Sequence, residues 1–274
     1  MEQEIVEGHS VRAMYLLTGA ADLIRRDDGT NYEQLNTALN RLWNNMVDSK
    51  MYATGGIGAI AQWEGFGLNY FLPQGTDEGG CYAETCAAIG IMMFAERLLQ
   101  VWMILNAWLP RVTNADMHKL SLDGRYTDIL ELALYNAVLT SMSHDGQRFT
   151  YNNQLASSDQ DASRREDWFT CACCPPNVLR VLGQIGGYIW SHNDDVQKQA
   201  TEIIVHLFVP ATLKYRVGDH DVELKQSGNW PWESKVKFDL QSSEIKTTLK
   251  VRIPGWAKSY KVRTNLPQFR WLLS

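Results

Sequence analysis

Three of the chain's five cysteines fall within four residues, in "CACCPPN", where Cys171, Cys173 and Cys174 stand just ahead of two prolines. A second group, "GGCYAETCAAIG", carries Cys81, Glu84 and Cys86. Each group precedes a run that reads as a helix. Pro175 and Pro176 suit a first turn, where a missing N–H costs little, and Thr85 suits the cap of the other helix. A helix N-terminus carries partial positive charge and unpaired N–H groups, which favour a thiolate over a thiol. Together Glu84, Cys86, Cys173 and Cys174 would offer one carboxylate and three sulfurs, a donor set that suits zinc first among thiophilic metals. Spacing alone leaves a second reading open: free cysteines also serve as small buried hydrophobes, and this is no CxxC pair.

Two other residues could join the same chemistry. Glu64 lies in "QWEGFGLNYFLP", and an acid enclosed by aromatics and glycines is a candidate proton donor to a leaving group. A solvated loop glutamate fits the same letters. His9, in "EGHSVR", could point into a cavity with Arg12 or act as a satisfied capping residue. The run "SRREDW" (Ser163–Trp168) reads as a solvated approach to the cysteines. A thiol-redox role for the vicinal cysteines is a third reading, and it lacks the βαβ context such motifs have.

The elements that must position these residues are helical up to about residue 195. "SVRAMYLLTGAADLIRR" is apolar on nearly every side and reads as a helix covered all round. "NYEQLNTALNRLWNNMVDSK" places Tyr32, Leu35, Leu39, Leu42, Trp43 and Met46 on one stripe, the mark of an outer helix with one buried face. That alternation is expected of a double-layered helical barrel. Three more helices are expected at roughly 85–100, 124–142 and 176–191. Between the second and third lies a segment with eight glycines from Gly55 to Gly80, too many for a helix. A loop of that length is usually functional or disordered, and its aromatics argue against disorder. After about residue 200 the period shortens, and "EIIVHLFVPATLKYRV", "DVELKQSG", "SKVKFDLQ" and "TTLKVRIPGW" read as strands of an antiparallel β-domain. The fold class expected is mainly α with a C-terminal β region, divided into residues 1–197 and 198–274.

Composition narrows the function. A net charge of −5 gives no reason to expect nucleic acid or an anionic membrane as partner. No apolar run is read as long enough to span a bilayer, and "MEQEIVEGHSVRAMYLL" lacks the basic and apolar regions of a signal peptide. Five cysteines, an odd number, fit poorly with a secreted disulfide framework, so the thiols are expected to be reduced and the location cytoplasmic.

Several motifs taken together resemble one family. "EGHSVRAMYL", "YATGGIGA", "WEGF…YFLP", "CYAETCAAIG", "DGRYTDILELALYNAVL" and "CACCPPN…RVLGQIGGYIW" follow the order found in the β-L-arabinofuranosidases of glycoside hydrolase family 127, as do "WPWE" and "VRIPGW". The resemblance covers roughly residues 5–265, and "YAETC" with "CACCPPN" is its most specific part. It implies an (α/α)6 barrel, here partial, followed by the start of an antiparallel β-sandwich. It also implies retaining hydrolysis that releases terminal L-arabinofuranose from glycans, with a cysteine in place of the usual carboxylate nucleophile. Carried over by motif, Cys173 is the nucleophile and Glu64 the general acid/base. The resemblance likewise implies zinc held by Glu84, Cys86, Cys173 and Cys174, and a contact of His9 with the sugar. Cys171 is left as a packing cysteine.

The chain also departs from the family pattern. Its start matches the middle of the expected barrel, and the linker through "GTDEGGC" is longer than expected. "VWMILNAWLPRVTNADMHK" (101–119) interrupts a helix-to-helix connection, and "NLPQFRWLLS" leaves the strand pattern. Half a barrel would leave apolar helix faces uncovered, which predicts poor solubility or association into a homo-oligomer. The alternative function is a catalytically inactive, zinc-binding remnant of the same family.

Overall fold

The structure is a computed structural model that describes residues 2–25, 32–75, 80–108, 124–160, 162–242 and 244–265. They fall into two compact units, one within Met1–Leu109 and Arg125–Leu182, the other within Gly183–Ser274.

The first unit is helical. It contains α1 (Ser10–Ile24), α2 (Tyr32–Ser49), α3 (Thr85–Trp108), α4 (Gly124–Ala133) and α5 (Cys174–Gln184). The expected α2 stripe is the buried one: Leu39, Leu42, Trp43 and Met46 face inward, and the Trp43 ring meets Phe94 of α3 and Tyr126 of α4 edge-on at 5.6 and 5.1 Å. The α1 helix differs from expectation. It buries Met14, Leu17, Ala21 and Ile24, but Leu16 and Leu23 are 72% and 63% exposed, so one apolar face is open rather than covered all round. The α3 helix departs from expectation twice. It runs unbroken to Trp108, so the first part of the supposed 101–119 interruption continues the helix; residues 109–119 lie outside the described residues, as do 76–79 of the glycine-rich linker and 266–274 of the chain end. In addition, Thr85–Met103 is long and apolar enough, by length and composition, to cross a membrane. Ala87, Ala88, Ile89, Ile91, Met92, Phe94 and Ala95 are all fully buried within the protein, as in a core helix that packs on several sides.

The α1 and α3 helices cross closely. A Cβ on Gly90 would stand 2.6 Å from Met14 Cβ, so the contact exists only because residue 90 has no side chain. The single helix expected over 124–142 is broken. After α4 the chain makes a π turn (Leu134–Val138) and a tight 3-10 turn (Leu139–Ser141). The helix expected at 176–191 starts and stops earlier, with a short α6 (Gly186–Ile189) beyond α5.

The second unit begins its first strand at Trp190, ahead of the point where alternation becomes visible in the sequence. Its strands are β1 (Trp190–Asp195), β2 (Ala200–Val205), β3 (Ala211–Val217), β4 (His220–Gly228), β5 (Val236–Ser242) and β6 (Lys246–Val251). They form two three-stranded sheets, ordered β1-β2-β6 and β3-β4-β5. The expectation of a wholly antiparallel region is corrected at one pair: β2 and β6 run parallel, Ala200 opposite Lys246 through Val205 opposite Val251. Ile203 and Val205 of β2 share one apolar cluster with Val217, Val222 and Leu224 of β3 and β4.

His206 is buried, 5% exposed, with Nε2 2.8 Å from Ser191 Oγ and its carbonyl accepting from Arg252 Nε at 2.8 Å. Burial, reinforced by the Arg252 charge, pushes its pKa down to about 4. The unfolded chain therefore takes up a proton between about pH 6.5 and 4 that the folded chain refuses. The stability is fully present above pH 6.5 and is lost as pH falls toward 4, by about 3 kcal/mol. Urea unfolding followed by tryptophan fluorescence at pH 7 and pH 4.5 should show this loss, and His206→Gln should flatten it. An unchanged acid sensitivity in that variant would show that other groups carry it.

Candidate active site

Two helix beginnings deliver the sulfur-rich group. Glu84 stands just ahead of α3, its carbonyl accepting from the N–H groups of Ala87 and Ala88 at 2.9 and 3.2 Å. Thr85, expected as the cap, is already inside the helix, and its hydroxyl donates to the Thr150 carbonyl at 2.9 Å. Cys173 occupies the equivalent place ahead of α5, its carbonyl accepting from Asn177 N–H at 3.3 Å. The segment before α3 is held by neighbouring loops: Ala83 N–H donates to the Gly58 carbonyl at 2.7 Å, Asn153 Nδ2 to the Ala83 carbonyl at 2.8 Å, and Thr85 N–H to Tyr151 at 3.0 Å. These bonds hold Ala83 at a positive φ of 39°, a conformation that side chains rarely adopt.

The four expected metal donors come together. Glu84, Cys86, Cys173 and Cys174 each offer one ligand atom, and these atoms all lie within 4.8 Å of one another. Cys173 Sγ donates to Glu84 Oε1 at 3.3 Å, and Cys174 Sγ donates to the same oxygen at 3.7 Å. The Cys86 and Cys174 sulfurs are 3.5 Å apart, those of Cys173 and Cys174 3.7 Å. Donors 2.0–2.3 Å from a tetrahedral centre stand roughly 3.3–3.8 Å from each other, so the spacing fits a four-coordinate cation. Glu84 Oε2 is buried with no partner among the described residues, a lone acceptor where a cation would be welcome.

The electrostatics point the same way. Burial raises the Glu84 carboxyl above the usual range and pushes the Cys173 thiol up to about 12. The Cys86–Cys174 hydrogen bond lowers the Cys86 thiol and raises that of Cys174. Groups this crowded cannot all ionise unaided, and a cation among them removes the penalty.

Beside this cluster lies a second set. His9 Nε2 is 3.0 Å from Glu64 Oε2, and the Tyr82 hydroxyl donates to Glu64 Oε1 at 2.9 Å. His9, Glu64 and Glu84 present atoms within 4.8 Å of one another, so the Glu64 carboxylate reaches the edge of the sulfur group. The backbone explains the placement. Glu64, at φ 52°, turns its carbonyl onto both the N–H and hydroxyl of Ser10, the first residue of α1, at 3.0 and 2.9 Å. Phe66 N–H donates to the Gly8 carbonyl at 2.9 Å, and Gly65 pairs with both His9 and Ile60. The glycine-rich loop thus binds the start of α1 and carries Glu64 with it.

All six sequence-derived candidates therefore lie in one neighbourhood: His9, Glu64, Glu84, Cys86, Cys173 and Cys174. Arg12, the expected companion of His9, is exposed. Cys171 is exposed too, so it is not the packing cysteine; Cys81 is, fully buried against Tyr52, Ala59 and Ala83. Two tyrosines escaped the sequence reading. Tyr82 holds Glu64, and the Tyr151 hydroxyl lies 3.4 Å from Cys173 Sγ. The two rings meet edge-on at 5.9 Å, and Phe169 adds a third against Tyr151. Tyr82 stands inside "CYAETC" and could have been found as a neighbour of that motif. Tyr151 had no signal of its own.

Comparison with known proteins gives a consistent picture. A sequence profile described as "Beta-L-arabinofuranosidase, GH127 catalytic domain" matches residues 1–187, and one for the GH127 middle domain matches residues 202–267. The chain is 31% identical to a non-reducing end β-L-arabinofuranosidase of Bifidobacterium longum subsp. longum, over 96% of this chain and 37% of that protein. It superposes on the crystal structure of a GH127 β-L-arabinofuranosidase from Geobacillus stearothermophilus T6 with a TM-score of 0.75 and 34% identity, covering 94% of this chain and 37% of the other. A second GH127 β-arabinofuranosidase structure matches at TM-score 0.75 and 33% identity, over 93% and 35%. The chain thus spans little more than a third of the length of these relatives. Its helical unit, its strands and the order of its motifs all fall within one family: the chain belongs to the β-L-arabinofuranosidases of glycoside hydrolase family 127.

Proposed function

We propose that this chain is the part of a retaining glycoside hydrolase that releases terminal L-arabinofuranose from glycans, with Cys173 as nucleophile and Glu64 as general acid/base. The observation that carries this reading is the meeting of a braced carboxylate, Glu64, with a sulfur cluster through Glu84. Retaining hydrolysis needs a nucleophile on one side of the anomeric carbon and an acid on the other. In the first step Cys173 Sγ would form a bond to the anomeric carbon while the glycosidic C–O bond breaks and Glu64 gives its proton to the departing oxygen. In the second, Glu64 would take a proton from water as its oxygen bonds to the anomeric carbon and the C–S bond breaks. Two inversions give net retention. His9 and Tyr82 each hold one oxygen of Glu64 and so set the direction of its proton transfer. We assign zinc to Glu84, Cys86, Cys173 and Cys174; when bound it would supply the positive charge that keeps these thiols ionised at neutral pH and tempers their basicity.

In this reading the helical unit belongs to an (α/α)6-barrel catalytic domain and the strands from Trp190 onward to a β-sandwich, and the protein works in the cytoplasm. The test is the zinc content of purified, chelator-washed chain beside its Cys173→Ser and Glu84→Gln variants. About one zinc per chain in the parent, weakened in both variants, is the outcome expected of four converging ligands. A parent that keeps none would remove the metal from this reading. Zinc retained without hydrolysis of an aryl β-L-arabinofuranoside would favour the inactive remnant instead.

A further inference from the structure

We propose that Lys50 is a positioning residue for the acid/base: its buried ammonium holds the Gly67 carbonyl and so fixes the loop that aims the Glu64 carboxyl. The inference rests on Glu64 acting as general acid/base and extends that reading to the end of α2. Lys50 directly follows α2, its N–H donating to the Met46 carbonyl at 3.0 Å, and it is 4% exposed. Its Nζ donates to the Gly67 carbonyl at 2.8 Å and lies 5.9 Å from the centre of the buried Phe66 ring. The Glu7 charge favours the ammonium from further off, but the direct contacts are a carbonyl and a ring. The negative end of α2 adds to them. A lysine is costly to bury on these terms, and a methionine would fill the space without that cost. What the ammonium adds is a directed bond to the backbone three residues beyond Glu64.

That bond belongs to a second attachment of the glycine-rich loop. The first is to the start of α1, where Ser10 holds the Glu64 carbonyl and the Gly8 carbonyl accepts from Phe66 N–H. Ties on one side alone would let the loop rock about them. The end of α2 closes the other side. Besides Lys50, Asn45 Nδ2 donates to Asn69 Oδ1 at 3.1 Å, and the Ser49 carbonyl accepts from Tyr70 N–H at 2.7 Å. Asn45 Oδ1 also accepts from Val6 N–H at 2.9 Å, three residues before His9. One helix end therefore holds both segments whose side chains, His9 and Glu64, meet at 3.0 Å. Of its ties to the loop, that of Lys50 stands nearest Glu64 in the chain.

The test compares two aryl β-L-arabinofuranosides on the full chain by kcat/KM, which reports the first bond-breaking step. A phenyl leaving group needs a proton from Glu64 as it departs, whereas a dinitrophenyl group leaves as the anion. Lys50→Met keeps the length of the stem and loses the donor. It is expected to slow the phenyl glycoside by roughly 10²-fold and the dinitrophenyl glycoside by less than about fivefold, because a displaced carboxyl spoils proton transfer first. Lys50→Gln still has an N–H to give, from a shorter reach, and disturbs folding less. The same bias is expected of it at a smaller size. A purely structural role would lower the thermal midpoint and slow both substrates alike. A ratio of the two rates within about twofold of the parent's in both variants overturns the proposal and leaves the assignment of Glu64 intact. Glu64→Gln, measured beside them, should show the bias in full. An equal loss on both glycosides in that variant, or a parent inactive toward both, overturns the acid role and this inference together.

Discussion

The Cys173→Ala variant is expected to lose hydrolysis of an aryl β-L-arabinofuranoside by on the order of 10⁴-fold or more relative to the parent, with its helical circular dichroism unchanged. The size follows from what the thiol does in the proposed reaction, since without Sγ no bond to the anomeric carbon forms and the two-step path closes. The structural cost is small by comparison. Cys173 is only half-buried and precedes the first turn of α5, so its truncation leaves Cys174, Val178 and Val181 packed as before. Tyr151 loses its 3.4 Å contact, and Glu84 Oε1 keeps its hydrogen bond from Cys174. A variant that turned over within tenfold of the parent would end the nucleophile assignment.

Gly65→Ala is expected to be as damaging to turnover as many catalytic substitutions, though residue 65 offers no chemistry. A Cβ there would stand 2.1 Å from the Gly8 carbonyl oxygen and 2.6 Å from the Trp63 ring. The oxygen belongs to backbone that accepts from Phe66 N–H, so it cannot swing away as a side chain would. Relief must come from pulling the glycine-rich loop off the start of α1, which separates His9 from Glu64. Forced overpacking of this kind costs about 3 kcal/mol, and a shift of about 1 Å at a reacting group costs roughly 10²-fold in rate. Gly19→Ala serves as the control. It lies within α1, where an added Cβ meets nothing within 4 Å, and it should stabilise the chain by about 0.5–1 kcal/mol. Paired melting curves and rates for the two variants give the answer. A Gly65→Ala chain with parental values for both would mean that the loop and α1 are not coupled as described.

What could be read before the structure was local. Three thiols and a glutamate beside two helix-start signals are a pattern within a dozen residues of each helix, and the structure brings those four donors together. Glu64 was legible as an acid in an unusual loop. Its bracing by Tyr82 and His9 was not, because hydrogen bonds between residues 18 and 55 positions apart leave no spacing to notice. The same limit hid Tyr151. Cys171 was misjudged and Cys81 was given no role for a related reason, since motif membership says nothing about whether a thiol faces Tyr52 or solvent. In α1, hydrophobic periodicity records which faces are apolar, and the uncovered Leu16 and Leu23 show that it does not record what lies against them. Strand alternation likewise marks which face is buried and is silent on direction, which is why the parallel β2–β6 pair was unexpected.

The contact of Gly90 with Met14 reaches further than packing. Gly90 stands one turn beyond Cys86, and Met14 one turn beyond Ser10, whose hydroxyl and N–H hold Glu64. The crossing therefore acts as a fulcrum close below both ends of the site, one helix carrying the sulfur side and the other the acid side. A single methyl at position 90 would tilt these arms apart and leave every reacting group intact. Such a position governs the geometry of the site as a reacting residue does, while in the sequence it reads only as a small residue in the middle of an apolar helix.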